Sequence, residues 1–389
     1  METEMYDVIV VGARCAGAAT AQLLARAGRT VLLLDRAQFP SDTLSTHYIH
    51  QPGLARLDRW GLLGEVLATG APLLTRFSFH APGARLTGPA PALGSITGGC
   101  APRRYALDHL LVQAAIRGGA EFRPRTNVVD LEWENGRVTG VRHATLQGPA
   151  ILERAHLVIG ADGRNSTVAR LVRAPYLRQD PRLSRTYYSY WSGMPDQGLR
   201  TYGQQGTGTA CVPTQDGATL IAVASSRTLP ATVDGDRHRA YEQMLRQSSP
   251  ELDEQLASAR QEDRLYCCAD QPNFFRQPHG PGWALVGDAA HTKDSINARG
   301  ITDAFIQSEI LVEQLDGPIE HTDQVEGALA KYALHLREEF TQAYEQALLT
   351  ARLDIDRHRS HMIENQHDPA FIDRWFRSFA GIRGPTSVN

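Results

Sequence analysis

Val8-Ile9-Val10-Val11-Gly12-Ala13-Arg14-Cys15-Ala16-Gly17 opens the chain after a short polar lead. Four consecutive apolar residues, three of them valine, read as a strand buried on both faces, as in a parallel sheet covered by helices. Gly12 begins a tight turn. An alanine-rich helix is expected over Ala16–Ala27, with Gly28 as its stop signal. Val31-Leu32-Leu33-Leu34 then supplies a second buried strand. Strand, turn, helix and strand make a βαβ unit, so the expected fold class is α/β.

The turn is a dinucleotide fingerprint with one departure. The pattern G-x-G-x-x-G uses its glycines for a tight turn, a close approach to pyrophosphate and close helix packing. Here Gly12 and Gly17 are present and Arg14 stands at the middle glycine position. Backbone amides at Gly12, Cys15 and Ala16 can still receive a pyrophosphate, and Arg14 is expected to add direct phosphate pairing. Asp35 ends the second strand 23 residues after Gly12, placed to accept from ribose hydroxyls, with Arg36 beside it. An acid there disfavours a 2′-phosphate, which points to FAD or NAD and not NADP.

Two later stretches separate these cofactors. Leu157–Arg170 (LVIGADGRNSTVAR) and Trp283–Asp303 (WALVGDAAHTKDSINARGITD) each run a buried strand into a turn, at Asp162-Gly163 and Gly287-Asp288. With the first motif, in this order, they resemble the signatures of the group A flavoprotein monooxygenases. That superfamily is para-hydroxybenzoate hydroxylase-like and includes geranylgeranyl reductases and flavin halogenases. The resemblance spans about residues 5 to 315, and Arg104-Tyr105-Ala106-Leu107-Asp108 is similar to its R-x-x-L-D helix start.

The resemblance implies FAD as the cofactor. It implies that Arg104 contacts the cofactor, that Asp162 and Gly163 support the pyrophosphate region, and that Asp288 accepts a hydrogen bond from the flavin ribityl chain. A helix starting near Gly300 would aim its positive end at the flavin N1 and O2 edge. Relatives usually carry proline and glycine where this chain has Ser295 and Asn297, and a small or amide residue where it has Arg299. Loss of that proline and glycine removes backbone preorganisation beside the ring. Arg299 is left to pair with reduced flavin, with an acidic substrate, or with solvent.

Catalytic candidates are His47 and Arg299. The stretch Ser41–His47 (SDTLSTH) falls where the family places a loop over the flavin edge, and His47 titrates in a range useful for acting on substrate protons. On the aromatic strand Arg185–Ser192, Tyr188 and Tyr190 share one face, and Tyr187, Ser189 and Trp191 the other. Tyr188 and Tyr190 are assigned to substrate, although the sequence does not decide which face meets the cavity.

The 389 residues suffice for two to three domains. The expected FAD-binding domain is discontinuous: 1–80, 100–175 and 270–318. An inserted antiparallel substrate domain takes 81–99 and 176–269, the first piece as a loop excursion. A C-terminal helical tail takes 319–389, with the amphipathic pattern over Thr322–Ile363. A net charge of -3 opposes nucleic-acid binding. Five scattered cysteines give no metal spacing, so no metal site is expected. No signal peptide and no stable membrane insertion are expected, and the location is cytoplasmic.

There is no second dinucleotide fingerprint, so NADH or NADPH would visit the flavin transiently or a separate flavin reductase would supply electrons. Either a monomer or a homodimer is compatible. The expected function is a monooxygenase hydroxylating or epoxidising a small aromatic or hydrophobic metabolite through a flavin hydroperoxide. An ene-reductase ranks second, because Ser41–His47 lacks cysteine. A halogenase, which would need a pocket lysine and a W-x-W-x-I-P motif, and a non-catalytic flavin protein follow.

Overall fold

Burial accounts for the parallel sheet. In the computed structural model, which describes residues 5–145 and 148–382, Val8, Ile9, Val10, Leu32, Leu33 and Leu34 are all at 0% exposure. Continuous apolar runs of this kind require cover on both faces. The strand Tyr6–Val11 pairs in parallel with Val31–Leu34 on one side and Ile151–Gly160 on the other. Trp283–Leu285 and Glu121–Arg123 extend the sheet, also in parallel. The three motif turns therefore leave neighbouring strands at the same, carboxyl edge, where α/β ligands bind.

Helix α1 (Cys15–Arg26) packs against α2 (Arg104–Arg117) and α3 (Gly300–Gln314) over that sheet. Two glycines make the first turn possible. A Cβ on Gly17 would lie 1.7 Å from the Gly12 carbonyl oxygen, and one on Gly12, whose φ is +100°, would lie 2.6 Å from that of Ala161. Gly17→Ala is expected to cost about 1–3 kcal/mol in urea unfolding, since backbone and not a side chain would have to move. A loss below about 0.5 kcal/mol, the range of neutral surface changes, would contradict this packing.

The second large sheet runs in the order Arg260–Gln261, Ser184–Ser192, Thr219–Ser226, Thr207–Pro213, Leu199–Gln204, Arg76–Ala81, Ala84–Pro89. It is antiparallel except where Leu199–Gln204 meets Arg76–Ala81. This corrects the expected domain boundary. The strand Arg76–Ala81 lies in the second sheet, not with residues 1–80, and the supposed loop after residue 81 completes its hairpin through Ala84–Pro89. The alternating pattern of Arg76–Ala81 is short, with only two large apolar residues, Phe77 and Phe79, so its pairing is what reveals it.

The tail is helical as expected, in three pieces: α4 (Thr322–Thr350), α5 (Asp356–Asn365) and α6 (Pro369–Ala380). Helix α6 lies beyond the expected Thr322–Ile363 stretch. It is capped by Asp368, whose side chain accepts from the Ala370 N–H, and it stops at left-handed Gly381. Phe371 and Phe376 bury its apolar face in the cluster that holds Phe77 and Leu86 of the second sheet. Among the described residues, no helix is long and apolar enough to cross a membrane, and no group of side chains could hold a metal ion.

Candidate active site

A cavity of about 590 Å³ opens at the carboxyl edge of the parallel sheet and reaches the second sheet at Thr186 and Tyr188. That volume suits a cofactor-sized ligand. All three motifs line it. Of the expected site residues, Gly17, Gly287, Asn297, His47 and Tyr190 stand outside the lining, and the remainder form part of it. Gly17 and Gly287 act by leaving room: a Cβ on Gly287 would lie 2.7 Å from the Ala16 Cβ.

Two helix N-termini face this cavity without side-chain caps. Helix α1 begins after Arg14 and α3 after Arg299, and neither preceding residue caps its helix with a side chain. Cys15 and Ala16 of α1, and Gly300 and Ile301 of α3, line the cavity. Open N–H groups carrying the positive end of a helix dipole suit an anionic or electron-rich ligand.

Arg14 lines the cavity and is also tied to the protein. Its guanidinium pairs with Asp108 at 2.6 Å and reaches Ser41 Oγ at 3.3 Å, so part of its donor set is taken by protein partners. The reason is Asp108, fully buried, which also takes Arg104 at 2.9 Å and the Cys15 thiol at 3.3 Å. A buried carboxylate has to be paired. The Arg104–Asp108 spacing of four on a helix was the available signal for this hub.

Asp35 accepts from the N–H of Ala13 at 2.6 Å and of Ala37 at 2.7 Å, which braces the glycine turn. Each oxygen keeps a second lone pair for a ligand. Asp162 accepts from Thr167 N–H at 2.6 Å and Val168 N–H at 3.2 Å, and from the Ser166 hydroxyl. It therefore holds the start of the short helix Thr167–Leu171, while Gly163, with φ +80° and open space beyond it, presents backbone to the cavity.

Asp288 differs from both. It lines the cavity, and its carboxylate makes no hydrogen bond to a described residue. Surrounding protein raises its pKa by desolvation, with Lys293 and Arg164 opposing. An acceptor enclosed by protein yet open to the cavity is suited to a ligand hydroxyl, so the residues present fit a dinucleotide carrying a polyol chain.

Beside it, Asp303 binds two cations. Arg299 Nη2 approaches one oxygen at 3.2 Å, and the Lys293 ammonium pairs with the other. Burial pushes the Asp303 pKa up, but Lys293 and Arg299 outweigh it and bring it down to about 2. Arg299 is 8% exposed, so of the expected alternatives the solvated guanidinium does not hold.

The loop lacking proline and glycine is nevertheless held. Asp294 caps its turn by accepting from Ile296 N–H at 3.1 Å and is itself fixed by Ser184 Oγ at 2.7 Å. Ser295 N–H donates to Gln271 at 3.1 Å. Ala298 takes the left-handed conformation, φ 50°, that glycine would adopt without strain. Asn297 contributes its carbonyl, which accepts from His50 Nε2 at 2.9 Å, and not its side chain to the cavity. Hydrogen bonds from distant segments thus replace local rigidity.

The loop 41–47 is latched to the aromatic strand. Ser45 N–H donates to the Tyr188 hydroxyl at 3.2 Å, and His47 Nε2 bonds the Tyr190 hydroxyl. Arg103 lies 3.8 Å from the centre of the Tyr190 ring and pairs with Asp42 at 3.1 Å. His47 is completely buried with φ 62°. Burial drives its pKa well below the usual imidazole value, with Arg104 and Arg103 adding to the effect. The expected titration near neutrality is therefore corrected: this imidazole stays neutral and ties the loop down. Tyr188 lines the cavity, whereas Tyr187 and Trp191 pack on the opposite face with Tyr241.

A family model described as FAD binding domain matches residues 5–321. The chain is 28% identical over 323 residues to a menaquinone reductase of Mycolicibacterium smegmatis, covering 76% of this chain and 72% of that one. It is 27% identical over 338 residues to a 6-methylpretetramide 4-monooxygenase of Streptomyces rimosus, covering 79% and 76%. Its fold superimposes on a flavin-dependent brominase with a TM-score of 0.84 at 17% identity, over 97% of this chain and 94% of that one.

Proposed function

The chain belongs to the FAD-binding domain family, and from that premise we propose that this FAD-dependent oxidoreductase is a monooxygenase. It would place one atom of dioxygen in a small aromatic or otherwise hydrophobic molecule and release the other as water, with NADH or NADPH as the electron donor. When bound, FAD supplies the electron store and the activation of oxygen. The protein supplies position, electrostatics and the exclusion of water.

The observation that carries this reading is the latched loop. Ser45 to Tyr188 and His47 to Tyr190, with Arg103 stacked over Tyr190, close the loop 41–47 onto an aromatic wall. Such a latch keeps water from the reacting centre, and Tyr188, the one of the two tyrosines that lines the cavity, offers its ring to a flat substrate. In this scheme Asp288 receives a ribityl hydroxyl and the start of α1 receives the pyrophosphate. The start of α3 stabilises negative charge at the flavin edge, and Asp35 and Arg36 hold the adenosine end. Arg104 and Asp162 keep the surrounding turns in place, and Tyr188 contacts substrate.

Oxygen isotope labelling tests it. The FAD-loaded enzyme, given NADH or NADPH and a panel of simple phenols under ¹⁸O₂, should form a product carrying a single ¹⁸O and form none without oxygen. An unlabelled, reduced product accumulating anaerobically would replace this reading with ene-reduction.

A further inference from the structure

We propose that helix α6 is part of the active site, with Gly381 as a positioning residue that seats the Arg299 guanidinium beside the flavin end of the cavity. The inference rests on FAD occupying this cavity and not on oxygen insertion, so an oxygen-independent enzyme would leave it standing.

Gly381 ends α6 with φ +68°, and a Cβ built there would fall 1.3 Å from Arg299 Nη1 and 2.3 Å from its Cζ. The guanidinium therefore occupies the space where any other residue would carry a side chain. It lies at the carboxyl end of a 12-residue helix, where the last carbonyls concentrate negative partial charge and favour a cation. Arg299 and Lys293 share one carboxylate, Asp303. The helix end supplies the second counter-charge for this pair of buried cations.

The same helix grips the same loop a second time. The Phe379 ring sits 4.9 Å from that of His50, and His50 holds the Asn297 carbonyl at 2.9 Å. Asn297 and Arg299 flank Ala298, which is left-handed without being glycine. The last turn of α6 thus steadies this loop from outside. Arg299 also lines the cavity, so a guanidinium expelled from its seat has that space to enter.

The test uses FAD-loaded protein and reads the reduction potential and visible spectrum of the bound flavin. Gly381→Ala should push the cation toward the ring and favour the reduced state about tenfold, a rise of about 30 mV for a two-electron couple. Arg299→Ala should lower the potential, and the double variant should match Arg299→Ala alone. Gly136→Ala, also left-handed at φ +78° but with nothing within 4 Å, controls for backbone strain and should leave the potential unchanged. An unshifted potential in Gly381→Ala, or the same shift with and without Arg299, would overturn the proposal. If Gly381→Ala does not fold, Phe379→Leu keeps the left-handed cap. It should give a shift that disappears in the Arg299→Ala background, and no shift, or an equal one in both backgrounds, overturns the proposal equally.

Discussion

Replacing Asp288 by alanine is expected to weaken FAD binding about 10- to 100-fold, since a hydrogen bond to a charged group is worth about 1.5–3 kcal/mol. The FAD-free variant should be at least as stable as the parent. Desolvation by the surrounding protein raises the Asp288 pKa in the folded state, although the side chain is exposed to the open cavity, so the folded chain binds that proton more tightly than the unfolded one. Such a group subtracts stability as pH rises from the unfolded value, about 4, through the folded one. Removing it removes that loss. Visible titration with FAD and thermal unfolding of the stripped protein check the two halves separately. A variant that keeps full affinity, or that unfolds because Asp288 was holding the fold, would contradict the assignment.

Asp303→Asn should act in the opposite way, on stability first. It leaves Lys293 and Arg299 buried without their shared carboxylate, and breaking a buried pair in this manner costs about 3–5 kcal/mol. The folded pKa of Asp303 is depressed to about 2. Its contribution is therefore fully present above the unfolded value of about 4 and is lost as pH falls through about 2. Urea unfolding at pH 7 should show the loss, and the variant's decline in stability below pH 4 should be shallower than the parent's by the Asp303 contribution. Equal stability of the two proteins at pH 7 would show that another group neutralises these cations.

The contrast between the two carboxylates shows what could be read from the chain alone. Both sit in the third motif stretch, and sequence order was enough to place Asp288 at the cavity, because a buried strand ending in Gly-Asp puts that acid at the edge of the sheet. The same logic located Gly12, Asp35 and Gly163. It failed where a side chain's fate is set by a distant partner. Arg14 looked free until the buried Asp108 claimed it, and His47 looked titratable until the tyrosine wall enclosed it. Arg299 answers to Asp303 one helical turn away and to Gly381 near the far end of the chain. The strand Arg76–Ala81 was missed because a short run with two large apolar residues is a strand only once its neighbours pair with it. Helix α6 was legible in principle, since Asp368-Pro369 and Ala380-Gly381 are ordinary start and stop signals.

What the fold brings to one cavity is a pair of open helix ends, the free carboxylate of Asp288 and a latched aromatic wall, and the account stands on FAD filling it. The visible spectrum of the purified chain, stripped of flavin and titrated with FAD, tests that most directly. Saturation at a single equivalent is expected, with the flavin bands shifted from those of free FAD, bleached by NADH or NADPH without air and restored on exposure to it. A folded chain that stays colourless and leaves the spectrum of added FAD unchanged would contradict it.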